Sequence, residues 1–406
     1  MVPSLLRAPH RRRNRMSEQA LSTSDGFDPP VNAIKPRESV FHDPAFLERL
    51  RTPCLVVDGA TVDENCNLAE AQARRMNLTV RPHAKAHKCS TLLRAQLELE
   101  HSKGITCATV HEAAALAGRG FDDILIANEL VSPATSDVLL IAAEATAELT
   151  VVVDSEPGIA YAEAVARRAG REIRVLVDLD VGSGRCGVAP DGSDVLRLTR
   201  IVAASRWLQF DGLMGYTGRG NYLPSATERR AVAETVRRQI LTARASVEAD
   251  GFAVRTISGG STGLFDMDQG LTEMQLGTYV LMEGRYADVG LPFQPAVFCA
   301  ATVISSSRDG HAVLDCGWKA MSGEFGLPLA PPGITPIKMS DEHLICEVDR
   351  SLKIAVGDVV LVIPSHLDPT INLHERLVVV HGDKVDEWPV DLRRTGRVVV
   401  AAPDRS

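Results

Sequence analysis

The sequence predicts a (β/α)8 barrel followed by a smaller, mainly-β domain. From Thr52 onward, short β-branched or apolar runs alternate with longer helical patterns, and eight such runs can be counted. After about Tyr286 that alternation gives way to strands separated by turns. The 406 residues exceed the length of most single domains, and an apolar content of 45% is enough to fill two cores.

Taken in order, the chain opens with an arm over residues 1–40. Its basic cluster at Arg7, Arg11, Arg12, Arg13 and Arg15 lacks the apolar stretch of a secretory signal, and Met16 offers an alternative start. The residues that follow are rich in Ser, Pro, Asp and Asn and read as flexible. The barrel is expected over 41–285, with strands at Cys54 to Asp58, Leu78 to Arg81, Ile105 to Thr109, Asp123 to Ala127, Leu149 to Asp154, Glu172 to Asp180, Phe210 to Tyr216 and Val254 to Ser258. The clearest helix runs from Ser225 to Asp250, with Ala231, Val232, Val236, Ile240, Ala243 and Val247 at helical spacing as its core face. The β domain is expected over 286–406. Its strands are Val297 to Ser305, Ala312 to Asp315, His343 to Asp349, Val359 to Ile363, Arg376 to His381 and Arg397 to Ala401, with turns at Gly310, Gly357-Asp358 and Gly382-Asp383.

Composition excludes several classes of function. A net charge of -8 offers no field for nucleic acid. Glu144 and Glu148 interrupt the most apolar stretch, Val138 to Val153, so no membrane span is expected. Eight scattered cysteines without a CxxC pair suit reduced thiols in a cytoplasm.

Chemistry collects at the expected strand ends. Arg81-Pro82-His83-Ala84-Lys85-Ala86-His87-Lys88 places two lysines and two histidines where a strand hands over to a helix, the mouth of a barrel. A lysine crowded by other cations titrates low and can attack a carbonyl to form a Schiff base; the same residues also read as a solvated basic loop. In Asp178-Leu179-Asp180-Val181-Gly182-Ser183-Gly184-Arg185-Cys186-Gly187-Val188, glycines allow backbone to approach a flat ligand and Arg185 offers a charged donor; a plain turn with a surface arginine fits as well. Tyr216 ends the next strand, where it reads either as a ring or pocket contact or as a packing residue. Ser258-Gly259-Gly260-Ser261-Thr262-Gly263 combines glycines with hydroxyls in a loop suited to a phosphate, and a plain flexible turn fits equally. His366-Leu367-Asp368 would point an imidazole and a carboxylate to one face of an extended strand, half of a metal site; an ordinary surface pair fits the same residues.

Together these segments resemble the D-threonine aldolase and D-serine dehydratase family, pyridoxal-phosphate enzymes that share the alanine racemase type of fold. The resemblance runs from about Arg51 to Arg397. It implies that Lys85 carries pyridoxal 5'-phosphate, that Arg185 and Tyr216 meet the ring, and that Ser258, Gly259, Gly260, Ser261 and Thr262 hold the phosphate. Glu273-Met274-Gln275-Leu276-Gly277-Thr278-Tyr279 resembles the last barrel motif, with Gly277, Thr278 and Tyr279 closing the phosphate side. Gln275 stands where alanine racemase-like enzymes have an arginine at the pyridine nitrogen, a departure that would tune the electron sink differently. His366 and Asp368 correspond to the metal ligands. Dehydratase members carry His-x-Cys there, suited to zinc, whereas His-x-Asp suits manganese or magnesium and carbon-carbon cleavage.

The implied reaction is retro-aldol cleavage of a small β-hydroxy D-amino acid, D-threonine or 3-hydroxy-D-aspartate, to glycine and acetaldehyde or glyoxylate. A metal-bound water or a nearby histidine, such as His83, His87 or His343, stands as the candidate base, and Arg219, Arg285 and Lys319 as candidate partners for a β-carboxylate. The family architecture implies a homodimer. The alternatives are a D-serine or 3-hydroxyaspartate dehydratase on the same scaffold and a non-catalytic pyridoxal-phosphate carrier, although such carriers generally lack the β domain.

Overall fold

The structure is a computed structural model that describes residues 44–393. The arm at 1–40 and the strand expected at Arg397 to Ala401 lie outside the described residues. Strand β1 (Cys54–Asp58) is followed by the helix Gly59–Met76, whose first turn is capped by the Asp58 carboxylate accepting from Ala60 N and Thr61 N. The barrel strands come next: β2 (Thr79–Pro82), β3 (Ile105–Cys107), β4 (Asp123–Glu129), β5 (Glu148–Val153), β6 (Ile173–Leu179), β7 (Leu208–Gly215), β8 (Thr256–Gly259) and β9 (Glu273–Leu276). They form one parallel sheet in the order β2-β9-β8-β7-β6-β5-β4-β3. Bridges from His83 to Thr106 and from Val80 to Ser102 bring its two ends together, so a (β/α)8 barrel is nearly closed.

Period-two alternation sorts the strand residues. Leu125, Val152, Leu176 and Met214 form a small cluster of their own, while their neighbours Ile124, Ile126, Val151, Val153, Val175 and Val177 belong to the main core with the helices. On the helix Ala226–Ala249, Val236, Ile240, Ala243 and Val247 are buried as expected. Ala231 is exposed and Val232 half-buried; Arg229 and Ala233 take the inner positions instead.

The eight expected barrel strands need one correction. Cys54 to Asp58 is not a barrel strand: β1 pairs antiparallel with β10 (Val297–Ser305) and parallel with β15 (Arg376–His381), in the middle of a second sheet. The place is filled by Glu273–Leu276, whose buried Glu273 and Gln275 leave it no apolar run to read as a strand. The second sheet is completed by β11 (His311–Leu314), β12 (Ile334–Met339), β13 (Leu344–Val348), β14 (Val359–Val362) and β16 (Lys384–Pro389), ordered β12-β13-β11-β10-β1-β15-β16 with β14 on β10. The two strands the sequence did not predict, β12 and β16, are its edges. Their exposed, charged residues and the Pro336 irregularity are how edges avoid pairing with other chains, and that composition hides the β pattern. No helix among the described residues is long and apolar enough to cross a membrane.

Near the barrel seam, Arg81 on β2 donates from Nε to Glu273 on β9 at 2.9 Å and from Nη1 to Asp123 on β4 at 2.7 Å. All three side chains are largely buried. Gly104 makes room for this ion triad: its φ is +59°, and a Cβ there would lie 2.1 Å from Arg81 Nη1. Arg81→Met leaves two acids facing each other without a counter-ion, and removing one partner of a buried pair costs about 3 to 5 kcal/mol. Urea unfolding should show that loss, whereas a change below about 1 kcal/mol would show that the triad does not brace the seam.

Candidate active site

Lys85 and Lys88, equivalent in the sequence, part company in the fold. After β2 the chain turns at His83, whose Nδ1 accepts from Lys85 N at 3.4 Å, through the short turn Ala84–Ala86. Lys85 enters a cleft of about 260 Å³ at the barrel mouth and places Nζ 2.8 Å from Asp368 Oδ2. Lys88 has a left-handed φ of 48° and turns away to pair with buried Glu112. The expectation of a low-titrating lysine is not met. Burial pulls the Lys85 ammonium down, but the Asp368 carboxylate outweighs it and the net displacement is upward.

The cleft also gathers His83, Arg185, Tyr216, Ser261, Thr262, Gln275, Gly277, Thr278 and His366 of the predicted site residues. His83 is buried, and burial followed by the nearby Lys85 charge holds its imidazole well below the ordinary range, so it is neutral. Arg185 lies over the Tyr216 ring at 5.3 Å. Its loop is set by Asp180, which accepts from Gly182 N at 3.0 Å and Gly184 N at 2.9 Å. Gly187, with φ +95°, passes so close to the strand end that a Cβ would lie 2.5 Å from Asp180 N.

Other predicted residues do not line the cleft. His87 is fully buried, its Nδ1 accepting from Cys89 N at 3.2 Å, and burial pushes it down to about 4. Tyr279 is buried beside Phe293, with its hydroxyl accepting from Gln96 Nε2 at 2.8 Å. Ser258 is buried, its Oγ accepting from Gln275 Nε2 at 2.8 Å. Gly259 serves strand approach instead: a Cβ would sit 2.1 Å from Gly215 O, and Gly260 follows with φ +83°. His343 is exposed near Ser340, and Lys319 pairs with Glu342 on the surface. Arg219 borders a different hollow beside Gly182 and Gln239. Arg285 is exposed, stacked on Tyr222 and Phe325 at 3.7 and 3.5 Å.

The His366–Asp368 pair is placed differently from the expectation of one strand face. His366 ends the extended run and Asp368 lies in the first turn of the helix Leu367–Leu373, yet both line the cleft. His366 Nδ1 lies 2.8 Å from Glu324 Oε2, and Phe325 stacks on its ring at 4.3 Å. An imidazole held at one nitrogen by a carboxylate presents the other outward, which fits a metal ligand. On the opposite side Ser261, only 4% exposed, has an Oγ without a hydrogen-bond partner, which fits a phosphate oxygen.

Sequence reasoning missed Asn128, Asn221, Tyr222 and Tyr286 in the cleft wall and an acidic group behind Arg185. Buried Asp178 abuts Glu129, with Asp154 and Cys186 beside them, and burial and then Glu129 push Asp178 up to about 9. Asp178 begins the quoted arginine motif, but Glu129 and Asp154 carry no local signal, since only the barrel sets their strand ends side by side.

A barrel with a lysine at its mouth and a second sheet presenting a His-x-Asp pair defines an enzyme of the alanine racemase fold class. The family described as "Alanine racemase, N-terminal domain" matches residues 57–283, and the "Putative serine dehydratase domain" matches 296–380. The chain is 36% identical to a D-threonine aldolase of Arthrobacter sp over 86% of its length and 95% of the relative's. It is 34% identical to a 3-hydroxy-D-aspartate aldolase of Paracoccus denitrificans, covering 86% of this chain and 93% of that one. A D-threonine aldolase structure from Filomicrobium marinum superposes with a TM-score of 0.82 at 32% identity, covering 86% and 96%. The chain belongs to the D-threonine aldolase and D-serine dehydratase family.

The acidic group makes a pH prediction. Folded Asp178 keeps its proton up to about 9, whereas the unfolded chain releases it near the ordinary carboxylate value of about 4. Between those limits the folded state holds the extra proton, so this group's contribution to stability is present at low pH and is lost as pH rises toward 9. Asp178→Asn has no such proton, and its melting temperature should fall less than the wild type's between about pH 5 and pH 9. Parallel declines in the two proteins would show Asp178 to be ionised.

Proposed function

We propose that this protein is a pyridoxal-phosphate- and divalent-metal-dependent aldehyde-lyase that cleaves a β-hydroxy D-amino acid to glycine and an aldehyde. D-threonine would give acetaldehyde and 3-hydroxy-D-aspartate would give glyoxylate. The observation that carries this reading is the 2.8 Å approach of Lys85 Nζ to Asp368 Oδ2, which brings the residue proposed to hold the cofactor beside a residue proposed to bind the metal. The aldolase names of the two relatives above support it. So does the donor set: a neutral nitrogen and a hard carboxylate oxygen suit manganese or magnesium over zinc.

Lys85 would hold the cofactor, with Ser261, Thr262, Gly277 and Thr278 toward its phosphate and Arg185, Tyr216 and Gln275 toward its ring. Bound pyridoxal phosphate supplies a sink for the electron pair released from the Cα–Cβ bond. His366 and Asp368 would hold the metal, whose chemistry there is to ease loss of the β-hydroxyl proton. Among the candidate histidines, His83 alone lines the cleft, which makes it the histidine placed to exchange a proton with the substrate. The proton that returns to Cα completes glycine. A homodimer and a reducing, cytoplasmic setting complete the proposal; the setting rests on eight cysteines, all of them free.

Protein loaded with pyridoxal phosphate and Mn2+ should convert D-threonine or 3-hydroxy-D-aspartate to equal amounts of glycine and aldehyde. Ammonia and a keto acid without glycine would establish a dehydratase instead. Lys85→Ala should abolish the absorption band of the bound cofactor, and Lys88→Ala should keep it. The opposite pattern would assign the cofactor to the wrong lysine.

A further inference from the structure

Glu283 is 1% exposed, lies outside the proposed ligand sets, and has no cation paired with it among the described residues. Both of its oxygens are nevertheless engaged. Oε1 accepts from the Tyr222 hydroxyl at 2.9 Å, and Oε2 accepts from Leu367 N at 2.6 Å. Leu367 is the residue between His366 and Asp368. The next residue adds a second stitch, Gly284 N donating to Pro364 O at 2.8 Å. The barrel's exit segment therefore grips the chain on both sides of His366.

The neighbours of Glu283 reinforce this grip. Arg285 stacks on Phe325 and Phe325 stacks on His366, while the Tyr286 ring lies 4.7 Å from that of Tyr222. Short charge-assisted bonds to a backbone N–H set the direction of the following peptide more firmly than apolar packing does. Here that peptide separates an imidazole from a carboxylate that must converge on one point.

We propose that Glu283 is a positioning residue for the metal centre: by holding Leu367 N and Tyr222 it fixes His366 and Asp368 toward Lys85. Its own side chain is not among those that line the cleft. The inference rests on the metal reading given under Proposed function.

The test measures Mn2+ affinity by electron paramagnetic resonance of free Mn2+ on cofactor-loaded protein, together with cofactor absorbance and melting temperature. Glu283→Leu removes both acceptors. Glu283→Asp keeps the charge but shortens the reach by one methylene, and it covers the case in which the leucine variant does not fold. Loss of a group that orients metal ligands weakens binding by roughly 10- to 100-fold, and that loss is expected in either variant with the cofactor band retained. Glu283→Gln keeps an acceptor for Leu367 N and should restore affinity to within about 3-fold of wild type. Wild-type Mn2+ affinity in both Glu283→Asp and Glu283→Leu would overturn the role of Glu283, as would loss of cofactor band and melting temperature in step with the metal. A wild-type protein whose Mn2+ affinity is unchanged by Asp368→Asn would instead overturn the metal reading beneath it.

Discussion

The architecture depends on the position of β1. This strand precedes the whole barrel in the chain yet lies between β10 and β15, which follow it, so the barrel is inserted into the second sheet. Two rows of backbone hydrogen bonds, with Leu55, Val56 and Val57 buried on both faces, hold the two parts together where a flexible linker would let them drift. The helix Gly59–Met76, capped by Asp58 at the end of β1, then leads straight into β2 and the lysine segment. A site shared between the barrel mouth and the second sheet requires this kind of anchorage.

That anchorage turns a sequence separation of 283 residues between Lys85 and Asp368 into an ion pair. The Asp368 carboxylate, against the pull of burial, favours the charged form of the lysine. The barrel mouth and the segment that follows β14 are thus electrostatically linked across the cleft. Burial does the complementary work on His83 and His87, keeping both imidazoles neutral.

Much of this was legible in the sequence because it is local. Strands β4 to β6 stand out as runs with β-branched residues and β7 as a largely apolar one, while the predicted ends of β15 match the observed ones because Val378, Val379 and Val380 precede the Gly382 turn. The lysine, arginine, phosphate and His-x-Asp segments were each found as short motifs at loop positions. What escaped reading was polar or non-local. Glu273–Leu276 spends its barrel positions on an ion pair and an amide, while β12 and β16 wear the charges of edges. Tyr222, Glu283 and Glu324 matter only through partners 61, 84 and 42 residues away.

The sequence by itself determined the barrel class, the family and the segments that carry chemistry, since periodicity and motif spacing are properties of neighbouring residues. Only the tertiary structure decided which lysine faces the cleft, that β1 belongs to the second sheet, that His366 and Asp368 meet across a strand-to-helix turn, and that Glu283 grips the peptide between them. The physical reason is the same in each case. Strand pairing, burial and ion-pair partners depend on distances through space, and a linear pattern does not contain those distances.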